Sequence, residues 1–291
     1  MENYPNNPVT IGEVFGSKNI IKKYIGENLD GLDLVFIWDL LKVKGEASFF
    51  RNILQSYEDS FPPPYSPVYV FGNHDVRRVM SRIKEQVDIA KLMVLFQFTV
   101  RGIPVTYYGE EIGMLDGQFP AKTALDPVGQ KYKHFPEFFL QILDVYVNRD
   151  GCRTPMQWTD ESNAGFCTED STPWLPVKGS CKSNNVRSQQ GDETSILNTY
   201  KKLLALRKET PVLRNGNLKL LDEPGIHNDL LVYGRYSEGG NALVVINFGR
   251  SGVRFYNPTA CDKILLAVGM GEPNSAKEIE IKPKSGIVLG D

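Results

Sequence analysis

Residues 68–75 constrain this chain more than any others. Val68-Tyr69-Val70-Phe71 is an apolar, β-branched and aromatic run of strand length, and it ends on Gly72-Asn73-His74-Asp75. A strand apolar at every position is one buried on both faces, the condition of a strand in a parallel sheet covered by helices. An imidazole and a carboxylate at its C-terminal tip stand where a parallel α/β barrel keeps its chemistry. A second unit of this kind precedes it: Val9-Thr10-Ile11-Gly12-Glu13 places a lone carboxylate at the end of an apolar strand.

The surrounding periodicity is consistent with that reading. Strands are expected at about 9–14, at Leu34-Val35-Phe36-Ile37-Trp38, at 68–72 and at Ile103-Pro104-Val105-Thr106-Tyr107-Tyr108. Between them, residues 46–59 carry Phe49, Phe50, Ile53, Leu54 and Tyr57, and residues 85–100 carry Ile89, Leu92, Met93, Phe96 and Val100. Spacings of one, three and four mark one apolar helix face. Strand and helix in alternation predict βαβ units, a parallel sheet and right-handed crossovers. Residues 113–192 break the pattern: they are rich in Gly, Pro, Asp and Ser, with at most short helices such as 136–146. Such a stretch suits an excursion over an active-site face. A helix is expected over 192–209, stopped by Pro211.

From about residue 212 the period changes to two. Strands are expected around Leu218, Leu230–Tyr236, Ala242–Phe248, Ile264–Val268 and Glu278–Lys282, with Gly239-Gly240 as a hairpin turn. The expected division is therefore 1–211, an α/β region, and 212–291, an antiparallel β-sandwich domain.

Composition excludes several classes. A net charge of -2 offers no footing for nucleic acid or an anionic membrane surface. No apolar run approaches the roughly 20 residues that span a bilayer. Residues 1–8 lack the basic and apolar regions of a signal peptide. Cys152, Cys167, Cys181 and Cys261 have no zinc spacing; a disulfide within 152–181 is open, but reduced thiols in a cytoplasmic protein are the expectation. The 13 Tyr and 15 Phe are read first as core packing, although aromatic rings also line sugar sites.

Specific strings then point to a family. Gly72-Asn73-His74-Asp75 after its strand resembles the seventh-strand signature of the alpha-amylase superfamily, glycoside hydrolase family thirteen. Val9–Glu13 resembles its fifth-strand signature, and Gly102–Gly113 its eighth strand and following loop. Arg149-Asp-Gly-Cys-Arg-Thr-Pro-Met-Gln-Trp158, with Asn163–Phe166 and Trp174-Leu-Pro176, is similar to the α-glucosidase and oligo-1,6-glucosidase branch. The resemblance covers nearly the whole chain, in the family's order. It implies that Glu13 is the general acid/base, that Asp75 stabilises the developing oxocarbenium ion and grips sugar hydroxyls, and that His74 donates to a hydroxyl of the same sugar. Arg149 and Arg153 stand where the family places guanidinium groups near the sugar and its carboxylates; which of them contacts sugar is open. Asp75 as a simple helix cap is the structural alternative.

The resemblance also implies what these residues lack. A retaining glycosidase needs a nucleophile roughly 5 Å from its acid. In this family that is an aspartate at the fourth strand, in a Gly-Phe-Arg-x-Asp-like string, and no such string occurs here. The match begins at the fifth strand, so the expected architecture is the C-terminal half of a (β/α)8 TIM barrel followed by the β domain. Four parallel strands cannot close a barrel, which leaves two open edges and an exposed apolar face. The expected function is an α-glucosidase-like glycoside hydrolase acting on oligosaccharides or short α-glucosides. It carries the acid/base but not the nucleophile, so it is expected to be inactive alone. Its expected partners are an N-terminal half-barrel chain or a second copy of itself. The alternative is a non-catalytic carbohydrate- or partner-binding subunit. An inverting reaction using Glu13 and Asp75 is a third reading. No cofactor and no metal are expected, because the family's calcium loop belongs to the half not present.

Overall fold

The structure is a computed structural model that describes residues 8–136, 138–139, 146–177, 181–222 and 225–291. It has two compact units. The first comprises residues 1–70, 92–105 and 203–291, and the second comprises 71–91 and 106–202.

The first unit contains a parallel sheet of four strands: β1 (Ile11–Gly12), β2 (Leu34–Ile37), β3 (Val68–Val70) and β4 (Ile103–Val105), in the order β1-β2-β3-β4. Phe36 pairs with Val68, and Val68 with Ile103. The strands are shorter than their apolar runs. β1 keeps two of the six residues expected, and β4 ends at Val105, before Thr106–Tyr108. Pro104 has no amide N–H to donate, which suits β4 because it pairs on one side only.

The helix Ala47–Ser60 buries Ala47, Phe50, Leu54 and Tyr57, the face its spacing predicts. The helix Val87–Thr99 differs from the amphipathic expectation. All of residues 92–100 are buried, so it is a core helix rather than a surface one. Its one buried amide, Gln97, is fully paired on the donor side: Nε2 donates to Tyr69 O at 3.0 Å and Val105 O at 2.9 Å, tying β3 to the end of β4.

Among its described residues the same unit carries seven antiparallel strands: β5 (Asn217–Leu221), β6 (Leu230–Ser237), β7 (Gly240–Asn247), β8 (Val253–Tyr256), β9 (Lys263–Val268), β10 (Glu278–Ile281) and β11 (Ser285–Gly290). Five form one sheet in the order β5-β6-β7-β11-β9, and β8 pairs with β10 in a ribbon. Alternate residues of the sheet (Leu230, Val232, Leu243, Val245, Ile287 and Leu289) share one core with Val253, Phe255, Ile279 and Ile281 of the ribbon. The opposite side of β6 presents Tyr233 and Arg235, both fully buried. Tyr233 pairs with Thr99 Oγ1, at the end of the core helix. Arg235 donates to the carbonyls of Thr99 (2.6 Å), Leu213 (2.8 Å), Gly216 (2.7 Å) and Asn217 (3.3 Å).

Three local expectations shift. The helix expected from 192 begins at Ile196 and ends at Glu209, and Pro211 opens a further helix, Pro211–Asn215, as its first residue. The hairpin turn is Glu238-Gly239, because Gly240 already pairs with Ser237 in β7. β8 and β11 were not expected from the periodicity. Most of the helix expected over 136–146 lies outside the described residues. Among the described residues, no helix is long and apolar enough to cross a membrane. All four cysteines are free thiols, with Cys152 and Cys261 buried.

Candidate active site

The second unit assembles four of the five residues singled out by sequence. Beyond β3 the chain turns at Gly72–Val76. Asn73 Oδ1 accepts from the Asp75 backbone N–H at 2.9 Å, closing a tight turn that points the Asp75 side chain outward. Arg82 closes the turn from behind: its Nη2 donates to Phe71 O, and its Nε donates to Arg77 O at 2.9 Å. Gly72 lies close to Glu110: a Cβ there would be 2.6 Å from Glu110 Oε1 and would displace that carboxyl. Asp75 does not cap the next helix, which starts at Val79 and has Arg78 at its N-cap.

One oxygen of Asp75 gathers the cations. Oδ1 accepts from Arg149 Nη1 at 2.7 Å and from Arg153 Nη2 at 3.1 Å, and His74 Nε2 lies 3.5 Å away. No described residue donates to Oδ2, and the side chain is 35% exposed, so one oxygen is left for an incoming hydroxyl. Both arginines lie on one short 3₁₀ turn, Arg149–Arg153, begun by Asn148, whose Oδ1 accepts from Asp150 N at 3.1 Å. That turn is fastened to the Asp75 turn at a second point. The His74 carbonyl accepts from Arg153 Nε at 2.9 Å and from Cys152 Sγ at 3.3 Å. Burial pushes the Cys152 thiol up, so it sits here as a neutral donor. Tyr107 OH donates to Cys152 O at 3.1 Å and Tyr108 OH to Thr154 O at 2.7 Å, holding the far end of the arginine turn.

Sequence reasoning missed Asp126. Its carboxylate takes one edge of the Arg149 guanidinium, Nε to Oδ2 at 2.9 Å and Nη2 to Oδ1 at 2.7 Å, and also the Arg149 backbone N–H at 2.9 Å. Its side chain is fully buried. The hydrogen bonds from Arg149 hold the Asp126 carboxyl well below the usual carboxylate range, and Asp126, followed by Asp75, raises the guanidinium. Asp126-Pro127 also begins the helix Pro127–Lys131, with Val128 N donating to Oδ1. An Asp-Pro pair is a readable helix start, but nothing in it announces an arginine 23 positions away.

Glu110 lies in a short 3₁₀ turn, Glu110–Ile112. It is nevertheless a buried carboxyl. Oε2 accepts from Tyr107 N at 3.2 Å, Oε1 has no hydrogen-bond partner, and burial pushes the group up to about 8.

The fifth residue, Glu13, is in the other compact unit, one position beyond β1, with its side chain exposed. It shares that loop with Phe15, stacked on Trp38 at 5.6 Å, and with Val14, whose carbonyl accepts from Trp38 Nε1. Among the described residues, no group of three or more His, Cys, Asp or Glu side chains is arranged to hold a metal ion.

Comparison with known proteins bears on what this arrangement does. Residues 1–216 match the family described as "Alpha amylase, catalytic domain". The chain is 33% identical over 252 residues to the probable oligo-1,6-glucosidase 2 of Bacillus subtilis, covering 82% of this chain and 44% of that protein. It is 34% identical over 233 residues to maltase 1 of Drosophila virilis, covering 75% of this chain and 34% of that one. Among solved structures it is similar to the trehalulose synthase MutB of Pseudomonas mesoacidophila, with a TM-score of 0.84 at 26% identity over 99% of this chain and 56% of the other. The chain thus spans less than half the length of these two curated relatives.

Proposed function

This chain belongs to the alpha-amylase family, whose fold is a TIM barrel with a β domain, and we propose that it supplies the acid/base half of a retaining α-glucosidase site for short α-glucosides. The observation that carries the proposal is Asp75, held by Arg149 and Arg153 on the turn after β3 through one oxygen, with no described residue donating to the other. A carboxylate held by two guanidinium groups stays in place. Its open oxygen can accept from a sugar hydroxyl, and its charge opposes the positive charge that grows at the anomeric carbon. His74, half exposed beside it, is a donor for the same sugar. Arg153 and Arg149 hold the carboxylate rather than the leaving group. Glu13 is the proton donor to the glycosidic oxygen and, in the second step, the base that activates water.

The proposal includes the barrel's incompleteness. Residues 1–211 are read as the last four βα units, and 212–291 as the β domain. The covalent nucleophile is then supplied by protein outside these 291 residues. A second reading, a non-catalytic subunit that binds sugar or a partner, is favoured by one observation: Glu13, the residue read as the proton donor, has an exposed side chain.

The test is hydrolysis of an aryl α-glucoside by the 291-residue chain, alone and mixed with the N-terminal half-barrel of a family member. We expect no turnover alone and turnover in the mixture, and Glu13→Gln should lower the latter by about 10²–10⁴-fold. Turnover in the mixture that ignores Glu13→Gln would remove the acid/base assignment. A mixture that binds the glucoside without cleaving it would establish the second reading.

A further inference from the structure

We propose that Asp126 is the positioning residue of this site: it fixes Arg149 so that the guanidinium reaches Asp75 with one N–H only, leaving the Asp75 carboxylate half free. This rests on the reading of Asp75 as a sugar-gripping carboxylate and extends it to a residue outside the recognised strings.

The geometry is a ladder of charges. Asp150, fully buried, accepts from the backbone N–H groups of Leu125 (2.7 Å) and Asp126 (3.1 Å), which fixes the segment carrying Asp126. Asp126 takes Nε and Nη2 of Arg149, the two donors of one guanidinium edge. That pairing leaves Nη1 as the group that meets Asp75. A guanidinium with no anchor would turn the same edge toward the nearest partly exposed carboxylate, because the two-bond fork is its strongest arrangement. The nearest such carboxylate is Asp75. Both of its oxygens would then be occupied, and its charge would be spent inside the protein. Asp126 wins the fork because it is buried, where the same charges interact more strongly than at an exposed site, and because the Arg149 backbone N–H and Val128 N–H complete its coordination.

Charge balance points the same way. Among the described residues, the charged and titratable groups paired with Asp75 are Arg149, Arg153 and His74. With Asp126 ionised, the two arginines meet two carboxylates. Without it, a single carboxylate faces both guanidinium groups.

The experiment is carbon-13 NMR of the Asp75 carboxyl in the intact 291-residue chain at one fixed neutral pH, assigned by comparison with Asp75→Asn, with thermal unfolding as the control for folding. In Asp126→Asn the Asp75 carboxyl resonance should move, since Arg149 is released to place its two-bond fork on Asp75. Asp126→Glu, which restores the anchor, should recover part of the change. A folded Asp126→Asn protein with an unmoved Asp75 resonance overturns the proposal. If Asp126→Asn does not fold, Arg149→Lys gives the second measurement. A single ammonium cannot span both carboxylates, so Asp75 should keep Arg153 but lose its partner at position 149 to Asp126; an unchanged resonance again overturns the proposal. Methyl α-D-glucoside separates this claim from the reading beneath it. If Asp75 moves in Asp126→Asn but never responds to the glucoside in the wild-type chain, the positioning role stands and the sugar-binding role falls.

Discussion

Glu110 is a carboxyl in a place that disfavours its charge. Burial is the chief cause of its raised value of about 8; the Tyr107 amide, Arg82 and Arg78 oppose it, and Glu111 adds to it. The folded value exceeds the unfolded one, so between about 4.5 and about 8 the native chain holds a proton that the unfolded chain has released. Stability should therefore decline as pH rises through that window, by about 3–5 kcal/mol in all, and level off above it. Glu110→Gln should flatten the decline. Thermal unfolding at pH 5 and pH 8 would show this as a midpoint difference that is large in the wild type and small in the variant. Asp75 and the three residues the structure gathers around it were legible because each lies in a string with its own chemistry: His74 and Asp75 at a strand tip, Arg149 and Arg153 one short turn apart. Asp126 and Glu110 were not legible. What makes them matter is burial against partners distant in sequence, and a sequence displays neither.

At the level of the elements, the same limit sorts the strands. β1–β4 were legible from apolar runs bounded by turns, but their lengths were not, because a parallel strand ends where its neighbour ends. β11 was missed since all six of its residues, Ser285–Gly290, are buried and so show no alternation. The core helix Val87–Thr99 was found but given a face it does not have. Its C-terminal end is the best place to test how the β strands stabilise the parallel sheet. Arg235 satisfies four carbonyls around Thr99 and Leu213–Asn217 from a fully buried position, and burial, followed by repulsion from Arg207, lowers it to about 10. Arg235→Met fills the space but leaves those carbonyls unpaired. It should cost about 3–5 kcal/mol and lower the unfolding midpoint by roughly 5 °C or more. Tyr233→Phe, which removes a single hydrogen bond to Thr99, should cost about 1 kcal/mol.

At the level of the whole molecule, β1 and β4 each pair on one side only, and the β1 side carries Val9, Ile11 and Phe15 with 66%, 55% and 74% of their surface exposed. Apolar side chains beside an unpaired strand edge favour association. Light scattering on the purified 291-residue chain should therefore show self-association, and an N-terminal half-barrel should replace it with a defined complex burying about 1,000 Å² or more. A monodisperse monomer that ignores the half-barrel would contradict this. Finally, the division into two units, 1–70 with 92–105 and 203–291 against 71–91 with 106–202, means that the chain passes between them four times. No single cut releases either one. A protease nick in 113–192 should leave two pieces that stay together through both units, and fragment libraries made by truncation should yield insoluble products rather than a minimal sugar-binding module. Recombination at gene level faces the same bar. The Asp75 site can be transplanted only together with the sheet from which its turn springs.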